Sequence, residues 1–226
     1  MLIHGAWHGA WCWDRLLEPL HDANARTVTM DLPCSDGSAR LTTYADVVLD
    51  AMAAVPDDDI VLVGHSLGAV VVPLVAARRP ARAMVSLCGV IPKLGGRPWD
   101  DGPRMDVPGT MDALITSEDG AVIWSDQQAA TNAFYYDCEP EIAAWAFQRL
   151  RPQNSASLWE DPYPLTEWPK AEWKVIACCD DRVVTRAWSR HMARSRIGTD
   201  LIELPGGHSP FAARPRELAD TSLSLI

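Results

Sequence analysis

No run of this sequence is long and apolar enough to cross a bilayer; the longest, from Ala69 to Ala77, falls far short of the about 20 residues a spanning helix requires. The first residues lack the basic and apolar regions of a secretory leader. Both absences lead us to expect a soluble, cytoplasmic protein without a membrane partner. Basic charge is also in deficit. The chain has 20 Lys and Arg against 30 Asp and Glu, a net charge of −10 with no basic cluster, which argues against a binder of nucleic-acid phosphates. The 6 cysteines, Cys12, Cys34, Cys88, Cys138, Cys178 and Cys179, show no CxxC spacing, so neither a zinc site nor a disulfide framework is indicated, and we expect no metal and no cofactor. Histidine is scarce too, at 6 residues, which shortens any search for a general base.

What is present is a β/α rhythm. With 226 residues and 48% hydrophobic content, the chain can bury one sizeable core. Strand signals lie at Met1–Ile3, Arg26–Met30, Ile60–Val63 (bounded by Asp57, Asp58 and Asp59), Ala83–Cys88, Trp173–Cys178 and Asp200–Leu204. Helical signals at Trp11–His21, Thr43–Val55 (capped by Thr42 or Thr43), Leu67–Ala77, Thr185–Ser195 and from Pro215 alternate with them. This order predicts an α/β fold, a mostly parallel six-stranded sheet with helices on both faces. The rhythm breaks between Pro92 and Trp168, where no strand-length apolar run falls in the expected place and we expect helices at Asp126–Tyr135 and Glu141–Leu150. We therefore read residues 1–91 and 169–226 as the core and 92–168 as a helical lid inserted between two strands.

The most informative stretch joins the Ile60 strand to the next helix: Gly64-His65-Ser66-Leu67-Gly68. Two glycines let strand and helix approach, and the tight turn exposes the Ser66 hydroxyl at the positive end of a buried helix, a place suited to a nucleophile. A serine needs a base and an orienting acid. His208, in Pro205-Gly206-Gly207-His208, alone follows the last strand. Asp180 and Asp181 end the strand before it, and Asp181, one residue further out, is the preferred acid. Parallel strands end on one edge of the sheet, so Ser66, Asp181 and His208 should converge there. Backbone amides of Leu67 and of Ala6, in the His4-Gly5-Ala6-Trp7 loop, are the expected oxyanion donors. Trp7, His65, Phe134 and Tyr135 are candidates for lining a substrate pocket, packing of the core being the alternative.

These motifs together, HGAWHGAWCW, GHSLG, DDRVV and LPGGHSPF, resemble the α/β-hydrolase fold family, and within it the small esterase and hydroxynitrile lyase branch that includes plant methylesterases. The resemblance spans nearly the whole chain. It implies hydrolysis of a small carboxylic ester or related acyl compound through Ser66, His208 and Asp181, a small-molecule substrate, and no cofactor. Two departures stand out. The family's sheet usually starts with further strands, so the first two look absent and pairing of two copies along that edge is an expectation. Lyases of this branch carry threonine in the oxyanion loop and lysine after the catalytic histidine, where this chain has Gly5 and Ser209, which disfavours lyase chemistry. Non-hydrolytic use of the same residues (cyclisation, elimination or carbon–carbon cleavage), or a ligand-binding receptor, are the rival readings.

Overall fold

Alternation of short β-branched runs with amphipathic stretches produces the layered arrangement that the sequence predicts. The computed structural model describes residues 1–56, 59–98, 100, 102–154, 158 and 160–225, so the expected bounding residues Asp57 and Asp58 lie outside the described residues. A two-residue strand, β1 (Leu2–Ile3), leads through a 3-10 turn at Ala10–Trp13 into α1 (Asp14–Asp22), which buries Leu16 and Leu20. Then come α2 (Leu41–Ala51), β2 (Val61–His65), α3 (Gly68–Ala76) and β3 (Ala83–Leu87). Every residue of α3 is buried, as its uniformly apolar sequence requires.

Between β3 and the next strand of the main sheet the chain forms β4 (Leu114–Thr116), β5 (Val122–Trp124), α4 (Gln127–Ala130), a wide π-type turn at Thr131–Tyr135 and α5 (Pro140–Phe147). The main sheet resumes with β6 (Glu172–Cys178), α6 (Arg186–Met192) and β7 (Ile202–Leu204), and α7 (Pro210–Ala213) and α8 (Pro215–Ser224) follow. Strand order is β1-β2-β3-β6-β7, all parallel. The C-terminal ends of β2, β3, β6 and β7 therefore share one edge.

Three sequence expectations need correction. The sheet has five strands among the described residues, not six: the Arg26–Met30 segment touches β1 only through a Leu2–Thr29 bridge, with Leu2 N donating to Val28 O at 2.9 Å. A strand as short as β1 leaves little backbone to pair with. The inserted segment does contain strands, because β4 and β5 form an antiparallel hairpin. Each is three residues long, too short to register as an apolar run. Lastly, α2 starts at Leu41 rather than Thr43. The Thr43 hydroxyl accepts from the Arg40 amide at 3.2 Å, closing the helix end from inside its first turn. No helix among the described residues is long and apolar enough to cross a membrane.

Candidate active site

Ser66 follows directly on β2 and has φ +53°, a left-handed conformation that costs a side-chain-bearing residue on the order of 1 kcal/mol. The surroundings hold it there. Its amide donates to Leu87 O at 3.1 Å, and its carbonyl accepts from Ala69 N at 3.1 Å and Val90 N at 3.2 Å. The flanking glycines are needed for space. A Cβ on Gly64 would stand 2.6 Å from the Ala69 backbone, and one on Gly68 would stand 2.4 Å from Ile3 O. The strained turn thus sits clamped between β1, β3 and the start of α3, with the Ser66 side chain partly exposed.

His208 reaches the same edge from the far side of the sheet. Gly206, at φ +96°, turns the chain back after β7; a Cβ there would collide with Arg214 and Asp137. The His208 Nδ1–H donates to Asp181 Oδ2 at 2.8 Å, and both side chains are buried. The other carboxylate oxygen, Oδ1, accepts from Val183 N at 2.8 Å and Val184 N at 2.9 Å. Three donors therefore converge on Asp181, whose two oxygens both act as acceptors. Asp180 contributes main chain instead: its amide donates to Gly206 O at 3.0 Å and its carbonyl accepts from Tyr136 OH at 3.1 Å. Of the two neighbouring acids, Asp181 is the one that meets the histidine.

His65 ties the two halves together. Its Nε2–H donates to the His208 carbonyl at 2.9 Å, and the two rings pack with centroids 4.6 Å apart. His208 is thus seated against the residue next to Ser66. The Ser66 hydroxyl itself makes no hydrogen bond to His208 among the described residues, a contact that in enzymes of this chemistry often tightens only with substrate present.

The third part of the site is the loop from His4 to His8. Gly5 lies against Ser66, so closely that an added Cβ would be 2.7 Å from Ser66 Cβ. Two buried imidazoles hold the loop's carbonyls. His4 Nδ1–H donates to Gly5 O at 2.8 Å while its Nε2 accepts from Leu32 N at 2.9 Å. His8 Nδ1–H donates to Ala6 O at 2.7 Å while its Nε2 accepts the Tyr135 hydroxyl at 2.6 Å. Burial lowers the pKa of His4 to about 4 and that of His8 to about 3, so both serve as neutral donor–acceptor bridges. The amide hydrogens of Ala6 and Leu67 are taken up by no group among the described residues. Leu67 follows Ser66 directly, and Ala6 follows Gly5, which lies against Ser66.

The candidate pocket residues fall in a buried aromatic cluster on this loop. Trp7 packs edge-on against Trp124 at 5.9 Å and close to Phe134 at 6.0 Å, and Phe134 lies 5.7 Å from the His208 ring. Tyr135 is buried with its hydroxyl committed to His8. Sequence reasoning missed the polar groups that reach this site from the inserted segment: Asp137, Arg151 and Gln153. Asp137 Oδ2 accepts from Gly207 N at 3.0 Å and from Arg214, bracing the turn before His208. Isolated charged or amide residues in an irregular segment carry no periodicity or motif to betray such a role. The nearest signal is Pro152, which follows Arg151 and marks a fixed extended turn.

Comparison with known proteins places this geometry in context. The profile of the family described as "Alpha/beta hydrolase family" matches residues 1–221. Methylesterase 3 of Arabidopsis thaliana is 34% identical over 257 residues, an alignment covering 100% of this chain and 94% of the relative. Norfluorocurarine synthase 2 of Strychnos nux-vomica is likewise 34% identical over 257 residues, covering 100% of this chain and 94% of that protein. Among solved structures, a pyrethroid hydrolase from Sphingobium faniae JZ-2 superposes with a TM-score of 0.83 at 22% identity, over 99% of this chain and 95% of its own.

Proposed function

Since the chain belongs to the alpha/beta hydrolase family, as a carboxylesterase-like enzyme of the plant methylesterase-like branch, we propose that it is a serine hydrolase of small carboxylic esters. In this reading Ser66 Oγ attacks the ester carbonyl and His208 Nε2 takes its proton. Asp181 holds the imidazole in the tautomer whose Nδ1 carries hydrogen, and the tetrahedral oxyanion lies between the Ala6 and Leu67 amides. His208 then returns the proton to the departing alcohol. Water attacks the acyl-Ser66 intermediate with His208 again as base, releasing the acid.

The observation that carries the reading is the buried 2.8 Å bond from His208 to an Asp181 already saturated by two amides, beside a serine held at positive φ. We assign residues 92–168 the part of a lid. The test is a fluorophosphonate probe read by intact mass. A single adduct on the wild-type chain, absent from Ser66→Ala and His208→Ala proteins, is the expected result; no adduct on folded wild-type protein would refute the reading.

The likeness to a norfluorocurarine synthase favours one alternative, in which the same residues perform a non-hydrolytic step on a biosynthetic intermediate. Turnover in oxygen-18 water separates the two: label in the carboxylic acid product supports hydrolysis, and turnover without label supports the alternative.

A further inference from the structure

An oxyanion donor is useful only if its direction is set before substrate arrives. In a trans peptide the C=O and N–H point opposite ways, so whatever holds the Gly5 carbonyl also aims the Ala6 amide. His4 supplies that hold. The next residue, however, works against it: Trp7 adopts φ +61°, a region bulky side chains seldom occupy, and a loop strained in this way relaxes unless its surroundings over-determine it.

The restraints come from the inserted segment. Arg151 N donates to Trp7 O at 2.8 Å, Gln153 Oε1 accepts from Trp7 N at 3.3 Å, and Trp7 Nε1 donates to Val122 O at 2.9 Å. The Arg151 side chain then grips the following residue with a fork: Nε and Nη2 donate to His8 O at 2.9 and 2.7 Å. The same Nη2 lies 3.3 Å from Leu32 O and 3.3 Å from His4 Nε2, with Asp31 at 3.7 Å. One guanidinium thus joins His8, His4 and the Asp31–Leu32 turn.

We propose that Arg151 is a positioning residue for ester hydrolysis, its forked grip on the His8 carbonyl holding the strained Trp7–His8 turn and thereby the aim of the Ala6 amide. It touches no reacting atom and acts through the loop. The inference rests on the reading of Ala6 as an oxyanion donor. A lysine cannot substitute, because an ammonium on a flexible stem lacks the planar pair of donors the carbonyl receives.

The test compares wild type, Arg151→Met, which keeps the aliphatic stem, and Arg151→Lys, using p-nitrophenyl acetate, a trifluoromethyl ketone that forms a tetrahedral adduct on serine, and thermal melting. We expect Arg151→Met to lose about 10- to 100-fold in kcat with KM within 3-fold, and its trifluoromethyl ketone affinity to fall by a similar factor, somewhat less than loss of a whole donor. Arg151→Lys should lose at least 5-fold in kcat with a melting temperature close to wild type. Unchanged kcat and ketone affinity in folded Arg151→Met would overturn the proposal even if its melting point drops; should that protein not fold, unchanged kcat in Arg151→Lys does so instead. Failure of the serine-hydrolase reading looks different, because wild type itself would then give no fluorophosphonate adduct.

Discussion

At the scale of single residues, the site is decided by who donates to whom. The two amides of Val183 and Val184 compel any replacement of Asp181 to offer them an oxygen. In Asp181→Asn the NH2 must then face His208 Nδ1, which forces the opposite imidazole tautomer and leaves Nε2 protonated. We expect kcat to fall by about 10³- to 10⁴-fold with little change in fold, measured on any activated ester. Loss of less than 10-fold would mean that the acid is elsewhere. Gly68 makes a different prediction, one of space. A Cβ 2.4 Å from Ile3 O meets rigid backbone, so Gly68→Ala should cost about 1–3 kcal/mol and lower Tm by roughly 2–12 °C, read by differential scanning calorimetry. Such positions are legible in the sequence alone, because glycines around a serine, and a histidine after paired glycines, are local patterns.

At the scale of elements, the legibility divides by length. Strands β2 and β3 and the Val175–Cys178 half of β6 announce themselves as apolar runs, and α3 as an apolar helix, since these stretches are almost entirely buried. The hairpin β4–β5 leaves no such trace, while Arg26–Met30 carries a strand signal that ends as a single Leu2–Thr29 bridge; both outcomes depend on tertiary neighbours rather than on composition. Aromatic residues such as Trp7, Phe134 and Tyr135 stand out in the sequence, but the polar residues that fix the loops between elements do not. Asp137 is the case in point. It sits in the inserted segment yet caps the Gly207 amide next to His208. Asp137→Ala should therefore loosen the turn before His208, the proposed base, and lower kcat by about 10-fold while the Asp181–His208 pair remains able to form; a variant with wild-type kcat and merely reduced Tm would show the brace to be structural only.

For the whole molecule, the histidines set a limit on acid tolerance. His4, His8 and His65 are all buried with pKa values pushed down chiefly by burial, His4 to about 4 and His8 to about 3. Their folded values lie below the unfolded value of 6.5, so between these limits the unfolded chain binds more protons. Stability from these groups is complete above about pH 6.5 and is lost progressively as pH falls towards 4 and below. Each histidine contributes a slope of up to about 1.4 kcal/mol per pH unit in that window. Urea midpoints measured from pH 7 to 4 should decline accordingly, and His8→Asn, which keeps a donor for the Ala6 carbonyl but cannot take a proton, should flatten the decline. A His8→Asn slope equal to wild type would show that His8 is not the group being titrated.

The inserted segment reaches both sides of the candidate site, through Arg151 and Gln153 at the Trp7–His8 turn and through Asp137 at the approach to His208. It is therefore not an interchangeable cassette. On the proposed reading, grafting another relative's insertion would exchange these contacts together with any substrate-facing surface, so we expect selectivity and turnover to change together. Chimaeras should recover rate only where the graft carries its own arginine, glutamine and aspartate in the matching places.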